Sequence, residues 1–135
     1  VGNSARSQIA EALAKNMLPN NFDIRSAGSI PANKVHKDAI QAMSDVGIDI
    51  SKNTTQSIAS LEKNFITKLD YVITLCAEEV CPVVPEATKV FHWPNEDPDN
   101  DKFNDIQSKN AFIKTRENIF NLLKKFIILE NINNS

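Results

Sequence analysis

Val1-Gly2-Asn3-Ser4-Ala5-Arg6-Ser7-Gln8-Ile9-Ala10-Glu11 opens the chain. Backbone N–H groups curling round a glycine and passing into a helix, with its positive end facing back at the loop, make a cradle for a tetrahedral anion. Gly2, Asn3, Ser4, Ala5, Arg6 and Ser7 would form that cradle, and Arg6 would close it with a planar fork that matches two oxygens of one oxyanion. By itself, Gly2-Asn3-Ser4 also reads as a turn followed by a Ser4 N-cap. Chemistry in such a cradle calls for a thiolate at its base, activated by the same amides, the helix dipole and the arginine. With five residues between it and Arg6, that thiol would stand immediately before Val1.

Working outward, the composition sets the class. The 135 residues, 41% hydrophobic and 24% charged, are those of one soluble domain over 1–135. A formal net charge of −2 argues against a nucleic-acid partner held by bulk electrostatics. No apolar run approaches the roughly 20 residues needed to span a bilayer, and no signal peptide is visible, so the expected location is the cytoplasm.

Along the chain, helical and strand patterns alternate, the arrangement of a parallel sheet with helices on its faces. Ser7–Met17 carries apolar residues at helical spacing and is stopped by Pro19. Phe22–Ser26 alternates as a short strand. Lys37–Val46 predicts a helix with Gly47 as its C-cap, and Leu61–Leu69 a further helix leading into the apolar strand Tyr71–Leu75, which ends at Cys76. Lys89–His92 is a strand broken by Trp93-Pro94, and a last helix covers about Ser108–Lys125, followed by a polar tail over Asn131–Ser135. Functional groups in open α/β sheets gather beyond the carboxyl ends of strands, which puts Cys76 on the rim of the anion loop.

Cys76 and Cys81 admit three readings: a small disulfide, a metal pair or a redox pair, with an inert buried thiol as the default for either. The metal reading is weak, because zinc takes four ligands and His36 and His92 stand singly. Both histidines read as surface or structural.

The segment from Gly2 to Glu11 resembles the phosphate-binding loop of the low-molecular-weight protein tyrosine phosphatase superfamily, and Gln8, where phosphatases usually carry proline, is similar to its arsenate reductase branch. Cys76, Cys81-Pro82 and the stretch His92-Trp93-Pro94-Asn95-Glu96-Asp97-Pro98 extend the resemblance over essentially the whole chain. It implies a three-layer α/β/α fold around a four-stranded parallel sheet whose first strand, bearing the nucleophilic cysteine, is absent from this chain. The neighbours of that strand would then lack backbone partners at a cost of about 1–3 kcal/mol for each buried group, and Lys124–Leu129, basic then apolar, has the composition of a substitute.

The resemblance also implies a mechanism. Arsenate, phosphate or sulfate would sit in the loop, with Arg6 neutralising charge and Asp97 acting as general acid. Cys76 and Cys81 would relay the oxidation to a disulfide that thioredoxin or glutaredoxin reduces. Asn3, Glu11, Ser26 and Asp70 match positions that surround a potassium ion in some members; the same residues could form a hydrogen-bonded brace without it. No other cofactor is implied. Without the nucleophile the chain as written would be inactive. The alternative classes are a low-molecular-weight protein tyrosine phosphatase, which has no use for Cys76 and Cys81, and a non-catalytic oxyanion-binding domain.

Overall fold

Residues 5–28, 32–77 and 89–132 are described by the structure, a computed structural model. The first helix, α1 (Arg6–Met17), forms where the spacing predicts and buries Ile9, Ala12, Leu13 and Ala14. It stops because Leu18 precedes Pro19 and is pushed into extended backbone (φ −95°, ψ 157°).

The second helix, α2 (Lys37–Ser44), is capped at its start by the His36 side chain and ends two residues short of the predicted Val46. The predicted glycine stop is present. Gly47 has φ 81°, its N–H donates to Ser44 O at 3.0 Å, and Ile48 N–H donates to Met43 O at 2.9 Å. These are the paired bonds by which a left-handed glycine satisfies the last carbonyls of a helix.

The predicted helix Leu61–Leu69 shrinks to α3 (Lys63–Thr67), preceded by a 3₁₀ turn at Ile58–Ser60. No residue of α3 is buried, and a helix with no buried face has little to hold further turns in place.

Two strands, β1 (Tyr71–Cys76) and β2 (Lys89–Asn95), pair in parallel. The register runs evenly from Tyr71 opposite Lys89 to Thr74 opposite His92, then slips to Cys76 opposite Asn95. Trp93-Pro94 therefore does not end the strand. The slip gives β2 one extra residue, and a bulge is a place where a strand tolerates a proline that cannot donate to the ladder.

Phe22–Ser26 is not a strand, although its alternation is real: Phe22 and Ile24 pack on the core while Asp23 and Arg25 face out. A strand is defined by its ladder, and among the described residues this segment is followed only by a single parallel bridge from Gly28 to Ser57. The sheet of the described residues is thus two-stranded, where the resemblance implied four.

The longest element, α4 (Asp105–Leu129), starts three residues earlier than predicted. Asn104 and Gln107 make a reciprocal capping box, the Gln107 N–H donating to Asn104 Oδ1 at 2.8 Å and the Asn104 N–H to Gln107 Oε1 at 2.9 Å. Lys124–Leu129 is helical, so it substitutes for no strand; Phe126 is buried and Ile127 packs against the core. The helix ends on Asn131 (φ 52°), with Asn131 N–H on Ile128 O at 3.2 Å and Ile132 N–H on Ile127 O at 3.0 Å. Ile132 folds back onto the core, so the start of the predicted polar tail is a structured cap.

The main core gathers Ile9, Leu13, Leu18, Ala39, Met43, Ile50, Ile119, Leu123 and Phe126. Phe126 meets the strands edge-on, with ring centroids 5.0 Å from Tyr71, 5.3 Å from Phe91 and 5.9 Å from Trp93. It therefore locks α4 onto both strands that lead to the site.

One ion pair ties the start of β2 to the end of α4: Lys89 Nζ lies 2.6 Å from Glu130 Oε1. The ammonium holds the Glu130 carboxyl below its ordinary 4.5, and the carboxylate raises Lys89 above 10.5. A depressed carboxyl contributes stability above its unfolded value and loses it as pH falls through the folded one; a raised lysine contributes below its unfolded value and loses it as pH rises through the folded one. The pair thus stabilises the fold between pH 4.5 and pH 10.5. Lys89→Met is expected to flatten the fall of thermal midpoint below pH 4.5, and only slightly, because the Lys89 side chain is 54% exposed and screened by water. Superimposable acid limbs for the two proteins would contradict this.

Candidate active site

Arg6 is the first residue of α1 and only 7% exposed. Its Nη1 donates to the carbonyl of Asn95 at 2.8 Å, and its Nη2 lies 3.8 Å from Asp97 Oδ2. A buried guanidinium needs compensating partners, and these two come from the carboxyl end of β2 and the loop after it. Asn95 is itself buried and fixed through its Nδ2 on Trp93 O at 2.9 Å.

Cys76 ends β1 directly opposite Asn95 in the register. The strands thereby place it on the rim that Arg6 reaches, as the position of a strand's carboxyl end suggested. Cys76 is buried and disulfide-bonded, and the described residues contain no free cysteine. Cys81 lies outside the described residues, as do Gly2, Asn3 and Ser4. Ala5, buried, is the N-cap of α1 and has no side-chain oxygen with which to cap it, which moves the helix start one residue past the Ser4 cap of the simpler reading. The first turn also lacks any acidic residue that would compete with an anion at this helix end. Ser7 sits half-buried in that turn.

Asp97 is 47% exposed on its side chain, open enough to meet a ligand over Arg6. Its Oδ1 accepts the Asp99 N–H at 3.0 Å, which turns Oδ2 toward the guanidinium. Arg6, Cys76 and Asp97, three of the four residues expected to do chemistry, therefore meet at one rim.

The polar residues expected near potassium divide. Ser26 Oγ donates to Glu11 Oε1 at 2.7 Å, while Lys15 Nζ holds the other Glu11 oxygen at 2.9 Å. Asp70 is exposed at the start of β1, the end of that strand opposite Cys76, and its carbonyl accepts Lys89 N–H. Asn3 lies outside the described residues. Of this set, Ser26 and Glu11 are bonded to each other. No group of three or more His, Cys, Asp or Glu among the described residues is placed to hold a metal.

Several supports of the site were not legible in the sequence. Gln8 is 2% exposed and braces the loop beside it, donating from Nε2 to Thr54 O at 3.1 Å and accepting Asn53 Nδ2 at 3.2 Å. Gln56 Nε2 donates to Ser26 O at 2.7 Å. His36 Nε2 stands 3.5 Å from Asp99 Oδ1, beside the acid loop, where the sequence suggested only a surface or structural residue. A polar side chain of this kind carries no periodicity, and its partner lies far along the chain.

The family model of the low molecular weight phosphotyrosine protein phosphatases matches residues 1–134. The chain belongs to that family. Among its relatives within the phosphatase family, the arsenate reductase of Halalkalibacterium halodurans is 38% identical over 127 residues, covering 93% of this chain and 88% of the relative. A solved structure described as an arsenate reductase in the phosphate binding state superposes with a TM-score of 0.78 at 32% identity, over 98% of this chain and 93% of that one. The thioredoxin-dependent arsenate reductase of Corynebacterium glutamicum superposes with a TM-score of 0.66 at 30% identity, over 95% of this chain and 59% of that one. The phosphatase-like α/β fold is thus shared with these proteins, and no described helix is long and apolar enough to cross a membrane.

Proposed function

We propose that this protein reduces arsenate to arsenite through a relay of cysteines, and that a thioredoxin-type dithiol restores it. The observation that carries the reading is the meeting of Arg6, Asp97 and the disulfide-bonded Cys76 at one rim. A phosphatase needs the arginine and the acid; it has no use for a redox-active cysteine at the end of β1. Relatives named arsenate reductase and a structural neighbour named thioredoxin-dependent support the same assignment.

In this mechanism the loop amides and Arg6 bind the oxyanion, neutralising charge as it develops. The thiolate, placed by the resemblance immediately before Val1, attacks arsenic, and Asp97 donates a proton to the departing oxygen, which leaves as water. The Cys76 thiolate attacks the sulfur of the adduct; the sulfur–arsenic electron pair stays on arsenic, which leaves as arsenite, and a disulfide forms. Cys81 then attacks Cys76, freeing the loop thiolate and leaving a Cys76–Cys81 disulfide. An external dithiol removes the two electrons' worth of oxidation by exchange. Arg6 and Asp97 act on the substrate, whereas Cys76 and Cys81 act on sulfur.

Replacing Cys76 or Cys81 by serine in the full-length protein tests this. Both variants are expected to lose multiple turnover of arsenate with thioredoxin as reductant, falling to at most one arsenite per protein. Hydrolysis of an aryl phosphate, where the wild type shows any, is expected to persist in both. Multiple turnover of arsenate retained in both variants would remove the relay through Cys76 and Cys81.

A further inference from the structure

We propose that His36 is a positioning residue for Asp97, acting through Asp99; this rests on the general-acid role given to Asp97 above. His36 caps α2, its Nδ1 accepting the Asp38 N–H at 3.0 Å. A ring nitrogen that accepts carries no proton, so the proton of the neutral ring is on Nε2. Nε2 is the atom that faces Asp99 Oδ1, at 3.5 Å. The cap therefore sets the tautomer whose N–H is turned toward Asp99.

The ring has little freedom. Phe112, fully buried on α4, meets it edge-on with centroids 4.5 Å apart. The nearest carboxylate on its own helix, Asp38, is engaged elsewhere, accepting Ser108 Oγ of α4 at 2.5 Å. Asp97 and Asp99, by contrast, sit on an open loop with side chains 47% and 55% exposed. The turn joining them, closed by Asp99 N–H on Asp97 Oδ1 at 3.0 Å, is faced at one end by Arg6, 3.8 Å from Asp97, and at the other by His36, 3.5 Å from Asp99. A general acid must stay within hydrogen-bond reach of the leaving oxygen, and a misplacement of about 1 Å costs on the order of 10²-fold in rate. His36, fixed by its cap and by Phe112, is the rigid neighbour of this loop on the Asp99 side, as Arg6 is on the Asp97 side.

The variant His36→Asn separates this role from capping. Asparagine is a good N-cap, so α2 keeps its start, but its side chain is too short to reach Asp99. In the full-length protein, H36N is expected to lower kcat for arsenate by about tenfold with KM within about twofold. The thermal midpoint is expected to fall modestly, because asparagine keeps the cap and loses the ring contact with Phe112, whereas D99A, which leaves that contact in place, is expected to keep the wild-type midpoint. D99A, which keeps the backbone bond to Asp97, is expected to show the same loss of kcat, and H36N/D99A no more than either alone. Nitrogen NMR of His36 gives a readout independent of activity: the Nε2–H tautomer in the wild type, with ring signals that move in D99A. An unchanged kcat in H36N, additive losses in the double variant, or an Nδ1–H ring would overturn the proposal. If the wild-type protein fails to reduce arsenate, the functional reading falls, and the tautomer and its response to D99A still decide the His36–Asp99 link.

Discussion

Arg6→Lys is expected to lower kcat/KM for arsenate by about 10²- to 10³-fold, the usual loss when a preorganised donor to a developing oxyanion is removed. The charge survives this substitution, so the expectation tests geometry. Arg6 uses Nη1 on Asn95 O at 2.8 Å and turns Nη2 toward Asp97 at 3.8 Å; a lysine has one nitrogen and no fork with which to do both and still grip an oxyanion. Sulfate and phosphate affinity, read by calorimetric titration, should fall with it. The Asn95 carbonyl, in a buried residue, would lose its partner at a cost of about 1–3 kcal/mol. The thermal midpoint should therefore drop as well. Near wild-type turnover in Arg6→Lys would show that the arginine contributes only charge.

Phe126→Ala should have the largest effect on stability, about 3–5 kcal/mol. The side chain is 4% exposed and is the one ring that touches Tyr71, Phe91 and Trp93 at once. Each such edge-to-face pair adds on the order of 0.5–1.5 kcal/mol to the area term, and a whole domain holds only about 5–15 kcal/mol. Denaturant unfolding followed through Trp93, the single tryptophan of the chain, would report both the loss and a red-shifted native emission. A destabilisation below about 1 kcal/mol would mean that α4 is held to the strands by something else. Because β1 and β2 carry Cys76 and Asn95 to the site, oxyanion affinity should weaken in the same variant.

What the chain shows without its fold depends on how local the signal is. The helix α1, the strand β1 and the stop at Gly47 follow from spacing, apolar runs and the freedom of glycine to take φ 81°. The early start of α4 was equally readable, since Asn104 and Gln107 stand three apart as a capping box requires. The expected helix at Leu61–Leu69 overreached because its pattern is a weak prior that only burial makes good, and α3 buries nothing. Trp93-Pro94 was read as a break because a proline removes one donor; the shift in register absorbs it in a bulge. Phe22–Ser26 kept its alternation and lost its ladder, since pairing belongs to two segments at once.

The active site divides in the same way. By itself the sequence determined the residue types of the chemistry: an arginine at the start of α1, a cysteine at the end of an apolar strand and an acid before a proline. The tertiary structure alone decided that Arg6 lies against Asn95 and Asp97, residues 89 and 91 positions away, and that His36 stands behind Asp99. Hydrophobic periodicity and capping are encoded within a few residues, whereas a polar contact between distant segments exists only once the core has brought their backbones together, and nothing in the local sequence records it.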